Sequence, residues 1–385
     1  MSSQLSVCLL TRDEERNIER AIRSVAGVAD EVVVADAGST DRTAEIARGL
    51  GADVVPFSWD DDFSAGRNFA LGHAKGDWVL WLNPDEELSA SASDEVRSLL
   101  DGDRRDFGHA VRVQSIPRAD RPDQFSETND LRLFRREPGV RYVGRLHPGL
   151  APELAKALEA EGRQVGASGV VIRHHAYMSA LDESKLRWAV RLLERELADR
   201  PDQLHYQVEY GRSLLMLEDP RGHEVMAAAI GRIMPALGDP APPGPDVQVL
   251  LEYALTTPPP ANRGRIPAEL AADLVRRWFP GSPPLLWAMA ESSFRAGRFD
   301  AAAAFLERLL HLGAGGTYDR SRPFDPRIVG PWALLNLGHC RRALGSPEEA
   351  RACYRPLLDD PDFAAQAARS IEEVDAATGA GRAGA

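Results

Sequence analysis

The sequence predicts an α/β domain built on a mixed, mainly parallel sheet, followed by an all-α region of paired helices. Three observations carry this reading. The first hundred residues alternate short apolar runs with amphipathic stretches, residues from Phe107 to about Tyr177 switch to Arg-rich alternating segments, and from Leu181 onward the pattern is helical in period. With 385 residues the chain is long enough for two units with separate cores. The expected divisions are 1–180 for the sheet domain, 181–376 for the helical domain and 377–385 for a disordered tail, because GAGRAGA has no core-forming side chain.

Taken in order, Leu5 to Leu10 reads as a strand, Asn17 to Val25 as a helix, Glu31 to Ala35 as a strand and Thr40 to Leu50 as a helix. Asp53 to Phe57 gives a third strand, Ser64 to Ala74 a helix and Trp78 to Leu82 a fourth strand. The segments AVRVQS, DLRLFRR and VVIRHHAY then read as strands with polar groups on one face, extending the sheet. Beyond Leu181, prolines and glycines at Pro201, Pro220, Pro258 to Pro260, Gly281 and Gly313 to Gly316 break the helices. Within that region Leu334, Gly338, Gly345, Ala350 and Tyr354 fall on tetratricopeptide spacing, and Leu286, Ala290, Gly297, Ala302 and Leu306 repeat it. Small residues at these offsets let two antiparallel helices approach closely.

A net charge of -12 removes the electrostatic reason to expect a nucleic-acid binder. Cys8, Cys340 and Cys353 form neither a disulfide framework nor a CxxC metal site, which fits a reduced cytoplasmic protein. The start, MSSQLSVCLLTRDEE, has no basic region and only a short apolar run, so neither a signal peptide nor a transmembrane segment is expected. Apolar helical arrays often pair, which makes a homodimer an expectation.

Ligands of open α/β sheets sit outside the carboxyl ends of the strands. Here four such ends are polar: Thr11 to Glu15, Asp36 to Thr43, Ser58 to Asp60, and the stretch WLNPDEE from Trp81 to Glu87. Asp36 closes an apolar strand, so its carboxylate is delivered to the crevice, where it can accept a uracil N–H or a ribose hydroxyl. Gly38 permits a tight turn, and one of Ser39, Thr40 and Asp41 is expected to cap the helix that follows.

The segments LTRDEERNIERAIRSV, DEVVVADAGSTDRTAEIA, DFSAGRNFAL and GDWVLWLNPDEEL, in this order, resemble the family 2 glycosyltransferases, whose fold is the GT-A nucleotide-sugar-binding sheet. Within that family the chain is similar to lipopolysaccharide-core and peptide S-glycosyltransferases of bacteria that carry helical C-terminal extensions, over roughly residues 4 to 177. The resemblance implies an inverting transfer of sugar from a nucleotide diphosphate sugar, a UDP-sugar above all, to a hydroxyl or thiol acceptor. The acceptor class stays open between peptide, glycan and natural product. By resemblance, Thr11 and Glu14 lie near base and ribose, Asp36 contacts uracil, Arg67 and Asn68 lie near the nucleotide, and Asn83 and Asp85 face ribose and a divalent ion. Mg²⁺ or Mn²⁺ is expected on Asp85 and His147, weakened because the first acid of the family's Asp-x-Asp loop is Asn83 here. Restoring that acid with Asn83→Asp is expected to leave or improve transfer.

A base must take the acceptor's proton. The family's usual His-Glu reads His147-Pro148, so Glu127 and Asp130 are the candidates by order along the chain. Arg132, Arg135, Arg141 and Arg145 are candidate phosphate or acceptor clamps, and His174 and His175 are candidates for the acceptor mouth. Two alternatives follow from the departures at Asn83 and Pro148. One is a catalytically degenerate, glycosyltransferase-like binding or scaffold protein, and the other is a metal-independent glycosyltransferase.

Overall fold

The computed structural model describes residues 3–103, 105–175, 183–257 and 266–382. Its contacts divide the chain into two units, Met1–Tyr206 and Gln207–Ala385.

The first unit is an eight-stranded mixed sheet. Its strands are β1 (Leu5–Thr11), β2 (Glu31–Asp36), β3 (Asp53–Pro56), β4 (Trp78–Trp81), β5 (Glu86–Leu88), β6 (Asp106–Ser115), β7 (Ser126–Arg135) and β10 (Gln164–His174), and β8 (Tyr142–Val143) pairs separately with β9 (Gly149–Leu150). The spatial order is β3-β2-β1-β4-β7-β6-β10-β5. β3, β2, β1 and β4 run parallel, β7 is antiparallel to both β4 and β6, and β10 is parallel to β6. The order reverses at β1, so the carboxyl ends of β1, β2 and β4 open onto one crevice.

The central strands are apolar throughout because both faces are covered. On one face Leu5, Val7 and Leu9 pack with Ile18, Ile22 and Val25 of α1 (Ile18–Val25) and with Val96 and Leu100 of α4 (Ser93–Leu100). On the other, Cys8, Val33, Val79 and Trp81 pack with Ala70 and Leu71 of α3 (Phe63–His73). The remaining helices of this unit are α2 (Thr43–Gly49), α5 (Pro152–Ala160) and α6 (Glu183–Asp199), and α7 (Leu204–Met216) begins in it. Two differences from expectation matter for the site. The acidic run after Trp81, read as a strand end, goes on into a further strand, since its Glu86 opens β5, which pairs antiparallel with β10 in the register His174 opposite Glu86. α2 starts at Thr43 rather than Thr40, because Asp41 accepts from the Thr43 N–H at 2.9 Å and places the first turn there.

The second unit continues with α8 (Arg221–Ile233), α9 (Val247–Thr256), α10 (Ala268–Trp278), α11 (Pro283–Arg295), α12 (Phe299–Gly315), α13 (Pro331–Ala343), α14 (Pro347–Tyr354) and α15 (Ala364–Arg382). The repeated spacing is realised as two helix pairs, α11 with α12 and α13 with α14. Gly297 and Gly345 occupy matching turns at φ 70° and 75°, a left-handed conformation that costs glycine nothing. Gly338 is the close-approach position, where a Cβ would stand 2.3 Å from the Tyr354 ring. Gly338→Ala is expected to destabilise this unit by about 1–3 kcal/mol, read as a lower denaturant midpoint. Helix α15 runs through Arg382, so the expected tail is helical over 377–382. Its last residues, the breaks at Pro258 to Pro260 and Tyr177 of the VVIRHHAY segment lie outside the described residues.

Among the described residues no helix is long and apolar enough to cross a membrane.

Candidate active site

At the carboxyl ends of β1 and β4 lies a cavity of about 500 Å³ within the first unit. Its wall carries three carboxylates (Glu14, Asp61, Asp85), two guanidinium groups (Arg12, Arg67) and one imidazole (His147). Trp59, Phe63, Trp81 and Trp188 supply an aromatic side, in which the Phe63 ring lies 4.9 Å from Trp59 and 5.8 Å from Trp188, both edge-on. A second hollow of about 310 Å³ shares Glu14 and Asp85 with it.

The strand-end loops are tied to each other. The Asp13 carboxylate accepts from the Thr40 N–H at 2.7 Å, the Glu14 N–H donates to Thr43 Oγ1 at 2.7 Å and the Glu15 N–H to Asp41 Oδ2 at 3.1 Å. The GSTD turn therefore does more than cap α2, because it fixes the loop that presents Glu14. Thr11, only 2% exposed, lines the cavity with its Oγ1 lacking any partner among the described residues. A buried hydroxyl left unpaired costs about 1–3 kcal/mol unless something bonds it. Asp36 sits opposite Thr11 in the β1–β2 register. Its Oδ1 accepts from the Ser39 N–H and hydroxyl, and the adjoining Ala37, not Asp36 itself, is on the cavity wall.

Arg67 is placed by stacking. Its guanidinium lies 4.7 Å from the Trp81 ring centre and 5.0 Å from that of Tyr142, held further by a 3.4 Å bond to the Pro148 carbonyl. Burial holds its pKa below the usual arginine value, and the neighbouring Arg132 works the same way. Asn68 does not share this role. Its carboxamide is spent on both backbone groups of Tyr142, accepting at 2.7 Å and donating at 2.9 Å, which braces β8 against α3 in place of the expected nucleotide contact.

The loop after β4 explains the missing acid. Asn83 donates through Nδ2 to Glu86 Oε1 at 3.0 Å, its N–H donates to Glu86 Oε2 at 2.7 Å, and its Oδ1 accepts from Trp81 Nε1. Glu86 is 1% exposed and is countered by Arg132, which bonds both its oxygens at 3.2 and 3.4 Å and also takes Asp130 at 2.7 Å. A carboxylate at position 83 would face that buried carboxylate and lose a donor. Asn83→Asp is therefore expected to destabilise the sheet unit by about 1–3 kcal/mol, which chemical denaturation reads separately from any effect on transfer.

Asp85 faces the cavity with one oxygen 3.1 Å from His174 Nε2, whose Nδ1 meets Ser115 Oγ at 3.1 Å. Burial opposes ionisation of Asp85, yet the His174 hydrogen bond and charge outweigh it and hold the carboxyl below its ordinary value. Glu14 is shifted the other way, raised by burial and further by Asp85, against a 2.8 Å bond from Asn17. Glu14 and Asp85 are hard oxygen donors on one wall, the type that Mg²⁺ and Mn²⁺ take. His147, at φ 48°, is exposed and also lines the cavity.

Several expected residues lie elsewhere. Glu127 is buried on β7 and Asp130 is half exposed and paired with Arg132, and neither lines the cavity. Arg135 lies over Trp78, Arg141 is exposed beside Glu153 at 3.6 Å, and Arg145 binds Asp199 at 2.9 Å. With Arg132 committed to Glu86, none of these four arginines reaches the cavity wall. His174 and His175 hold Asp85 and Glu87 rather than an acceptor mouth. Sequence reasoning gave no role to Arg12, Trp59, Asp61 and Trp188, of which Arg12 and Trp59 stood at strand ends already singled out.

Residues 6–142 match the model of the family described as Glycosyl transferase family 2. Over these residues the sheet unit is similar to the family 2 glycosyltransferases. Among curated relatives, a TPR repeat-containing protein of Synechococcus elongatus is 34% identical over 221 residues, covering 56% of this chain and 54% of its own length. An uncharacterized glycosyltransferase of Rickettsia bellii is 36% identical over 141 residues, covering 36% and 48%. The lipopolysaccharide core biosynthesis glycosyltransferase LpsC of Rhizobium meliloti is 28% identical over 157 residues, covering 39% and 57%. The chain spans about half the length of the curated relatives it matches. Of solved structures, TarS residues 1–349 of S. aureus, in complex with UDP-GlcNAc, aligns at 14% identity over 77% of this chain and 92% of that one, with a TM-score of 0.39. So loose a superposition identifies neither donor nor acceptor.

Proposed function

We propose that the protein is an inverting glycosyltransferase that moves a sugar from a nucleotide diphosphate sugar, a UDP-sugar in the first instance, to a hydroxyl or thiol acceptor. The observation that carries this is the cavity at the ends of β1 and β4, with Arg67 stacked on its wall and the carboxylates of Glu14 and Asp85 facing it. In this reading Thr11 sits at the nucleoside end, where its unpaired hydroxyl meets the base or ribose, with Asp36 opposite it in the strand register. Arg67 offers a fixed positive charge to the diphosphate, stabilising it as it leaves.

Asp85, with Glu14 beside it on the second hollow, is the residue that would hold Mg²⁺ or Mn²⁺, which would supply charge neutralisation on the diphosphate. His174 keeps Asp85 ionised and oriented for that role. The acceptor's proton goes to a group that lines the cavity, where Asp61 and His147 are the candidates, rather than to Glu127 or Asp130. Synthesis inside the cell and an acceptor bound through the helical unit complete the proposal.

Hydrolysis of UDP-glucose and UDP-N-acetylglucosamine by the full chain, with and without Mn²⁺, tests it. Metal-stimulated release of UDP supports the reading. Turnover indifferent to metal moves the assignment to a metal-independent transferase, and nucleotide binding with neither sugar hydrolysed moves it to a degenerate binding protein.

A further inference from the structure

We propose that the helical unit holds a second ligand site, built around the unpaired guanidinium of Arg322, for a ligand that carries one carboxylate on an apolar, ring-sized body. The site is a cavity of about 390 Å³ between α7, α9, α11 and the segment that precedes α13, lying wholly within the second unit. Trp287, Tyr253 and Phe324 line it with aromatic surface, and Arg212, Arg322 and Glu252 bring charge to it.

The charges are not equivalent. Arg212 is already matched, donating to Glu209 at 2.9 Å. Arg322 is not matched, since it makes no hydrogen bond or ion pair among the described residues, and its Nε is closed off from solvent. Burial and the like charge of Arg212 both press its pKa below the usual arginine value, although Glu252, Glu209 and Asp246 act in the opposite sense. A guanidinium cannot shed its proton to escape this position, so the favourable resolution is an anion that supplies the missing acceptors. One unmatched cation calls for a single negative charge, and nearby carboxylates disfavour a dianion. The planar fork of Arg322 suits a carboxylate's two oxygens, and the aromatic walls suit an apolar ring beside it.

Free acids and the ends of peptide chains share this chemistry. Calorimetric titration of the full chain with N-acetylphenylalanine and with its neutral amide separates charge from ring without any variant. Binding of the acid, with the amide at least tenfold weaker, is expected. In Arg322→Gln the acid is expected to lose at least tenfold, while Arg322→Lys keeps part of the binding and UDP binding to the sheet unit stays unchanged. A peptide ending in phenylalanine distinguishes the source: tighter binding than the free acid supports a chain end, and equal binding supports a small acid. Acid and amide binding alike, no binding of the acid, unaltered binding by Arg322→Gln, or phenyl phosphate binding more tightly than the acid overturns the proposal.

Discussion

Replacing Asp85 with alanine is expected to lower sugar transfer by on the order of 10²–10³-fold, the effect of removing one preorganised charge from a reacting centre. The same variant should report on its partner. In the wild-type protein burial lowers the His174 pKa, but the hydrogen bond and charge of Asp85 outweigh it and raise the imidazole above its ordinary 6.5. A raised histidine is protonated to higher pH, so the bond it makes is fully present below 6.5 and is lost as pH rises through the higher folded value. Without Asp85 only burial remains as the leading influence, and the His174 pKa should fall below 6.5. Titration of the His174 ring by NMR checks this directly. An unaltered titration, or an unaltered transfer rate, removes Asp85 from the role given to it.

The largest effect on stability is expected at Arg132. This side chain neutralises Glu86 in the interior and links it to Asp130. Arg132→Ala leaves a 1%-exposed carboxylate without its counter-charge, and breaking a buried pair in that way costs about 3–5 kcal/mol. Because Glu86 also receives the N–H and the amide of Asn83, the loss should reach the loop that carries Asp85. Denaturant unfolding of the sheet unit, followed through its own tryptophans, measures the first effect. Replacing Arg132 and Glu86 together by leucine and glutamine should recover much of the loss, which separates an uncompensated charge from a simple cavity.

The layout of the sheet unit was legible because its signals are local. A strand covered on both faces is a continuous apolar run, and Leu5 to Leu10, Val32 to Ala35 and Trp78 to Leu82 are such runs. The helix pairs of the second unit were legible through small residues at fixed offsets, and Gly338 against Tyr354 shows why the offset demands one. The strand-end rule then led to Thr11, Glu14 and Asp85, which line the cavity. What the sequence did not disclose depends on pairing between distant segments. In the sequence Glu86 stands as one of three acids at a strand end, and only the register of β5 against β10 and the reach of Arg132 from β7 make it a buried anchor. Asn83 reads as a lost acid for the same reason, whereas its amide is what Glu86 needs. Glu127 and Asp130 were placed by chain order alone, and β7 runs antiparallel beside β4 with Asp130 turned to Arg132, away from the cavity wall.

Calorimetric titration of UDP into the full chain tests most directly whether the cavity at the ends of β1 and β4 receives a nucleotide diphosphate. The account predicts that UDP binds more tightly with Mn²⁺ than without it, that uridine binds far more weakly, and that Arg67→Ala costs at least a tenfold loss, about 1.4 kcal/mol. An absence of UDP binding under both conditions, or affinity unchanged in Arg67→Ala, would contradict it.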